Sequence, residues 1–159
     1  MAGALLLATA CSESTPATPA ATAITGEAPT IAAEALELVN GARLARDLPA
    51  LENDADLADL ATAYSCRMAT ENFFSHTDPS GAAVDARMQA AGLSYLKVGE
   101  NLARIENASD PAKVAVDGWL ESPAHAENIL RPDFTLSGMG VCGAGGALYF
   151  TQVFVEPAE

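Results

Sequence analysis

The stretch LSGMGVCGAGGALYFTQVFV, Leu136 to Val155, decides the class of this fold. Leu136 to Cys142 reads as one extended run, Leu148 to Val155, rich in β-branched and aromatic residues, as a second, and Gly143-Ala144-Gly145-Gly146 between them is turn material. That pattern is a β-hairpin. Upstream of it the period changes. Ser122-Pro123 opens a short helix that carries His125, and Asp110-Pro111 opens another whose apolar face includes Val114 and Trp119. An N-cap followed by proline marks both starts. Tyr95 to Ala103 reads as extended. Ala82 to Ala91 reads as a helix with Val84 and Met88 on one face, capped by Gly92. A helix from Asp54 to about Asn72 repeats Leu57, Leu60, Ala61, Tyr64 and Met68 at three- and four-residue steps. The first helix, Ile31 to Arg46, carries Ala33, Leu36, Leu38, Val39 and Leu44, with Arg43 and Arg46 near its negative end. Helices first, a terminal hairpin and an extended segment between them make the class α+β.

The whole chain has 159 residues, 50% of them hydrophobic, enough for one domain (31–156) with its own core. Its 21 acidic and 8 basic residues give a net charge of −13. Such a balance repels polyphosphates and anionic membrane surfaces, so nucleic acid is excluded as a partner. Residues 1–11, MAGALLLATAC, pair a short apolar run with a cysteine, and the Ser/Thr/Pro/Ala-rich residues 12–30 are too poor in large apolar groups to pack. This opening resembles a bacterial lipoprotein signal, with Cys11 as the lipidated residue and a possible membrane tether. It lacks a Lys/Arg start and has Ala8 three positions before the cysteine. A plain secretory signal cut near Ala10 is the alternative. Either way the apolar run is too short to span a bilayer. The protein is expected to be exported: periplasmic, held at the cell surface as a lipoprotein, or secreted. Outside the cytoplasm Cys66 and Cys142 can form a disulfide; the alternative is two buried thiols packed as small hydrophobes.

Four places carry groups suited to chemistry: His76 after Phe73-Phe74, Gly99-Glu100-Asn101, Trp119 to His125, and Tyr149 to Phe154. Two imidazoles and a carboxylate can hold a divalent metal or form a proton-transfer set, provided that the fold brings them together. Each has a plainer reading. His76 can cap or rim a helix end, Glu100 can accept backbone N–H groups, and Trp119 can be core. Gln152 can face solvent or bond across strands. His125, near a helix N-terminus, is expected to be neutral. The Asp78-Pro79-Ser80-Gly81 run turns the chain, and Phe73 and Phe74 are expected to finish the packing of the second helix.

In order, FSH, GEN, W-x-x-SPxHxxNIL, Gly138-Met139-Gly140 and TQVF resemble the CAP superfamily of cysteine-rich secretory, antigen 5 and pathogenesis-related proteins, and most of all its bacterial SCP-like branch. The likeness runs from about Ala33 to Phe154. It implies a three-layer α-β-α sandwich around a small antiparallel sheet. It also implies a cleft lined by His76 and Glu100 that binds Zn or another divalent cation in some relatives. Two family positions differ: Tyr149 stands for a histidine and Ser122 for a glutamate, while His125 is the histidine of the SPxH segment. The cleft expected here is therefore His76, Glu100 and His125, with Tyr149 or Ser122 nearby, and the same three as candidate metal ligands. Two functions fit. One is an envelope module that binds a lipid, a glycan fragment or an envelope protein. The other is a metal-assisted hydrolase directed at peptide or glycan. Cys66 on a helix face and Cys142 on a strand offer no activated nucleophile, which leaves an enzyme uncertain.

Overall fold

The computed structural model describes residues 26–158. The signal-like segment, Cys11 and most of the tether lie outside the described residues. Helix α1 spans Ala28–Leu44, strand β1 Glu52–Asn53, α2 Ala55–Glu71, α3 Val84–Ala90 and β2 Tyr95–Glu106. They are followed by α4 Pro111–Glu121, α5 Pro123–Leu130, β3 Leu136–Ala144 and β4 Ala147–Pro157. The strands order as β1-β3-β4-β2. β2, β4 and β3 are antiparallel, as expected, and β1 adds a two-residue parallel piece against Leu136 and Ser137 that the sequence did not reveal.

Local chemistry explains the boundaries. Asp110 Oδ1 accepts the Lys113 N–H at 3.0 Å, the N-cap read there, and Asp54 Oδ1 supplies a further one by accepting the Leu57 N–H at 2.9 Å, whereas Ser122, read in the same way as Asp110, makes no side-chain cap bond. α2 ends at Asn72, whose φ of 54° is the left-handed conformation that stops a helix. The hairpin closes on Gly145 and Gly146, with φ of 60° and 82°, as a two-residue turn with positive φ at both central positions requires.

Successive side chains on β3 and β4 enter opposite layers. Met139, Val141, Phe150 and Phe154 pack against α1, α4 and α5, around Trp119. Tyr149, Val153 and Val155 face α2 and α3. The three-layer sandwich is thus the observed architecture. Helix α2 lies directly on the β3 backbone at two glycines. A Cβ on Gly138 would lie 2.1 Å from the Leu57 carbonyl carbon, and one on Gly140 2.1 Å from Thr62 N. Beside them Cys66 and Cys142 form a disulfide with Cα atoms 4.9 Å apart, so the free-thiol alternative is set aside.

Several side chains lie elsewhere than the sequence suggested. Val114 is 48% exposed, because α4 buries Ala112, Ala115, Val116 and Trp119 and Val114 falls off that three-to-four-residue stripe. Leu38 and Leu44 are exposed for the same reason, since α1 buries Ala28, Ile31, Ala35, Val39 and Arg43. Arg43 is the largest departure. It is only 1% exposed, and its guanidinium donates to four carbonyls: Pro49 at 2.8 Å, Ile129 at 2.7 Å, Arg131 at 3.0 Å and Phe134 at 3.0 Å. The residue read as a complement to the helix dipole in fact ties the end of α1 to the chain between α5 and β3.

Candidate functional site

The loop after α2 presents His76, and two fastenings fix that loop. Tyr64 OH donates to the Ser75 carbonyl at 2.6 Å. Asp78 then knots the following turn: its Oδ1 accepts from Ser80 N at 2.8 Å, Ser80 Oγ at 2.6 Å and Ala82 N at 3.0 Å, while its Oδ2 meets Arg67. The Ser80 hydroxyl, then the Ala82 and Ser80 amides and Arg67, hold the Asp78 carboxyl well below the usual carboxylate range, against the opposing effect of burial. Because α2 already ends at Asn72, His76 caps no helix. Phe73 packs edge-on against Tyr64 at 5.9 Å between ring centroids, as expected, whereas Phe74 is half exposed and leans toward Tyr149.

Gly99-Glu100-Asn101 lies on β2, and strand alternation gives each residue a separate task. A Cβ on Gly99 would come 2.9 Å from Asn128 Oδ1, so the glycine makes room for α5. Asn101 turns toward α5, where its amide donates to the His125 carbonyl at 3.1 Å and its oxygen accepts from Asn128 Nδ2 at 2.9 Å. Asn128 also donates to the Glu100 carbonyl at 3.2 Å. Glu100 faces the opposite way, with its side chain 2% exposed.

Both oxygens of that buried carboxylate are engaged. His76 Nδ1 donates to Oε1 at 2.8 Å, and the Arg87 guanidinium binds Oε2. Since a carboxylate only accepts, the bond fixes the proton on His76 Nδ1, and a neutral ring then carries its lone pair on Nε2. The His76 side chain is 55% exposed, so that edge meets solvent. Arg87 also donates to the His76 and Ala82 carbonyls, both at 3.2 Å, and lies 3.4 Å over the Tyr64 ring. These further hydrogen bonds and the aromatic face offset much of the lost hydration of the ion pair, while Arg87 Nε finds no partner among the described residues. Burial raises the Tyr64 phenol above its usual range, partly offset by Arg87.

His125 approaches from α5. Burial first, and repulsion from His76 second, lower its pKa from the usual value of 6.5. It is thus neutral near pH 7, as expected from its place on the helix but for a different main cause. Its Nδ1 is buried and makes no hydrogen bond with a described residue. Ser122 starts α5 without a side-chain cap bond. Tyr149 pairs with Arg104 across the strands, and its hydroxyl accepts from Arg104 Nε at 3.1 Å. That position is four residues along β2 from Glu100, about 14 Å. The fold therefore brings His76 and Glu100 into direct contact and sets His125 close enough to repel His76. Tyr149 lies at the far end of the same sheet face. Gln152 is fully buried and bonds across strands, Nε2 to Ser137 Oγ at 3.1 Å.

With the geometry in place, comparison with known proteins is decisive: the sequence profile of the cysteine-rich secretory protein family (CAP) matches residues 36–154. The chain belongs to this family. A relative in Bacillus subtilis (strain 168), the uncharacterized protein YkwD, is 35% identical over 76% of the chain and 45% of its own length. An extracellular protein with an SCP domain from Bacillus anthracis superimposes with a TM-score of 0.72 at 30% identity, over 89% of this chain and 45% of that one. A cysteine-rich secretory protein from Staphylococcus aureus, 19% identical with a TM-score of 0.66 over 82% of this chain and 40% of that one, shares the fold. The chain spans less than half the length of these relatives.

A divalent cation in this CAP domain would need donors from His76, Glu100 and His125. The donor set does not fit one. Both Glu100 oxygens are committed, and a guanidinium stands beside them where a second cation would be repelled. Among the described residues no three His, Cys, Asp or Glu side chains gather in a metal-holding group. Arg87, Asn101 and Asn128 are the site residues that sequence reasoning missed. Asn101 and Asn128 lie inside the GEN and NIL segments, so a signal for them existed. Arg87 had none, because its partners come from two other elements.

Proposed function

We propose that this CAP domain is an exported binding module of the cell envelope, which takes a small polar ligand such as a glycan fragment or a lipid headgroup at His76 and His125. The observation that carries this is the clamped Glu100. Its two oxygens are spent on Arg87 and His76, so the carboxylate positions an imidazole and is not itself available to a substrate. A ligand would meet a pre-set His76 edge and a neutral His125, with little ordering left to do. Export is supported by the disulfide and by the extracellular and secretory descriptions of two of the similar solved structures. Attachment through lipidated Cys11 extends the reading, and Cys11→Ser should then move the protein from the membrane fraction to the soluble one.

The test is a titration of the imidazole nitrogen resonances with two probes, cell-wall muropeptides and a short-chain phospholipid. One of them should shift His76 and His125 together, and His76→Ala should weaken its binding at least about tenfold. Unmoved resonances with both probes would overturn the proposal. A hydrolase is the second reading, favoured by the one fact that a Glu-held His with an exposed Nε2 can draw a proton from water. It requires turnover of a peptide or glycan that Glu100→Gln abolishes.

A further inference from the structure

The sheet has an edge that the proposed ligand site at His76 and His125 does not use. β1 covers β3 only at Leu136 and Ser137, where Glu52 N donates to the Thr135 carbonyl and Asp54 N to the Ser137 carbonyl, both at 2.9 Å. β3 runs on to Ala144. By the two-residue alternation of a strand, Met139, Val141 and Gly143 aim their N–H and C=O groups to that same outer side. None of these groups pairs with β1, and none meets another described side chain or loop. They floor a groove of about 690 Å³ between α1 and α2. Its walls are short side chains, Ala32, Ala33, Ala58 and Thr62 among them. Glu37 and Asp59 also line it, and neither forms an ion pair among the described residues.

A row of donors and acceptors repeating about every 7 Å is matched by one chemistry above others, an extended polypeptide backbone. We infer that the groove receives an extended segment of a partner protein, which adds to β3 as a strand in line with β1. The short walls admit small side chains, and the two free carboxylates select a segment with lysine or arginine at its flanks. The recess also protects the edge: a slender strand enters, whereas the flat edge of another sheet is held off by the two helices. The site lies at the opposite side of the sheet from His76, so it stands or falls independently of the ligand site proposed there.

The experiment uses the full chain and a panel of seven-residue peptides with lysine at both ends and alternating alanine, valine and threonine between. Amide hydrogen exchange is read at Met139, Val141 and Gly143. At least one peptide should slow exchange there at least about tenfold and leave the His76 resonances unmoved. The same peptide with alternate amides N-methylated should have no effect, and Thr62→Arg, which fills and recharges the groove, should abolish binding. The inference is overturned if no peptide slows exchange. It is equally overturned if the three amides are already protected without peptide, since the chain itself or a second copy then covers the edge.

Discussion

The two edges of this sheet are finished in different ways. At β2 the helices α4 and α5 lie against the strand, and their side chains take its outward carbonyls: Trp119 Nε1 donates to Leu102 at 2.9 Å and Asn128 to Glu100 at 3.2 Å. At β3 a two-residue strand covers the start, and beyond it the outward backbone groups of Met139, Val141 and Gly143 are flanked by helices without being hydrogen-bonded to them. The difference shows how an edge becomes a site. Where side chains close it, the strand is held still enough for Glu100 to orient a histidine. Where backbone is left open, recognition can run through the main chain itself.

That contrast can be broken by mutation. The largest effect is expected from Gly140→Val, which drives a side chain into the backbone of α2 and should cost about 3 kcal/mol or more, read as a collapse of the thermal midpoint. A midpoint close to wild type would mean that α2 does not rest on β3 as described. Replacing Cys66 and Cys142 together by alanine should lower stability by about 2–4 kcal/mol in denaturant titrations, loosening the open-edge side and leaving the β2 side intact. On the closed edge, Trp119→Phe keeps most of the apolar volume but strands the Leu102 carbonyl. A loss of about 1–3 kcal/mol is expected there, with faster amide exchange along β2 and none along β3.

The smallest effect depends on pH. His125 binds its proton less readily folded than unfolded, because burial and His76 oppose the charge. Between its lowered folded pKa and the unfolded value near 6.5, the unfolded state holds more protons. Stability is therefore complete above about pH 6.5 and declines as pH falls below it. His125→Gln should flatten that decline in denaturation midpoints measured from pH 7 to pH 5. An unchanged slope would assign it to another group.

Much of this was legible from local signals. The hairpin turn, the Asp110 cap and the helix starts at Asp54 and Ser122-Pro123 each rest on a few neighbouring residues and formed as read, although Ser122 makes no side-chain cap bond. Glu100 and His76, 24 residues apart, became a pair only through the family resemblance, because nothing local joins them. What stayed hidden was long-range and polar. Arg87 gave no hint of reaching Glu100, and Val114 looked like core because periodicity ranks apolar residues without showing where the neighbouring helix lies. β1 is too short to have a pattern at all.

Arg43 has a consequence for the order in which the chain assembles. Three of its four carbonyl partners lie 86 to 91 residues further along. Most of its charge must stay hydrated until α5 and the approach to β3 have arrived, because the nearby Pro49 carbonyl satisfies only Nε. Drying that guanidinium is therefore expected to follow the rate-limiting barrier. Arg43→Met should leave the refolding rate almost unchanged and speed unfolding, so that the residue sets how long the native fold lasts and not how fast it is reached.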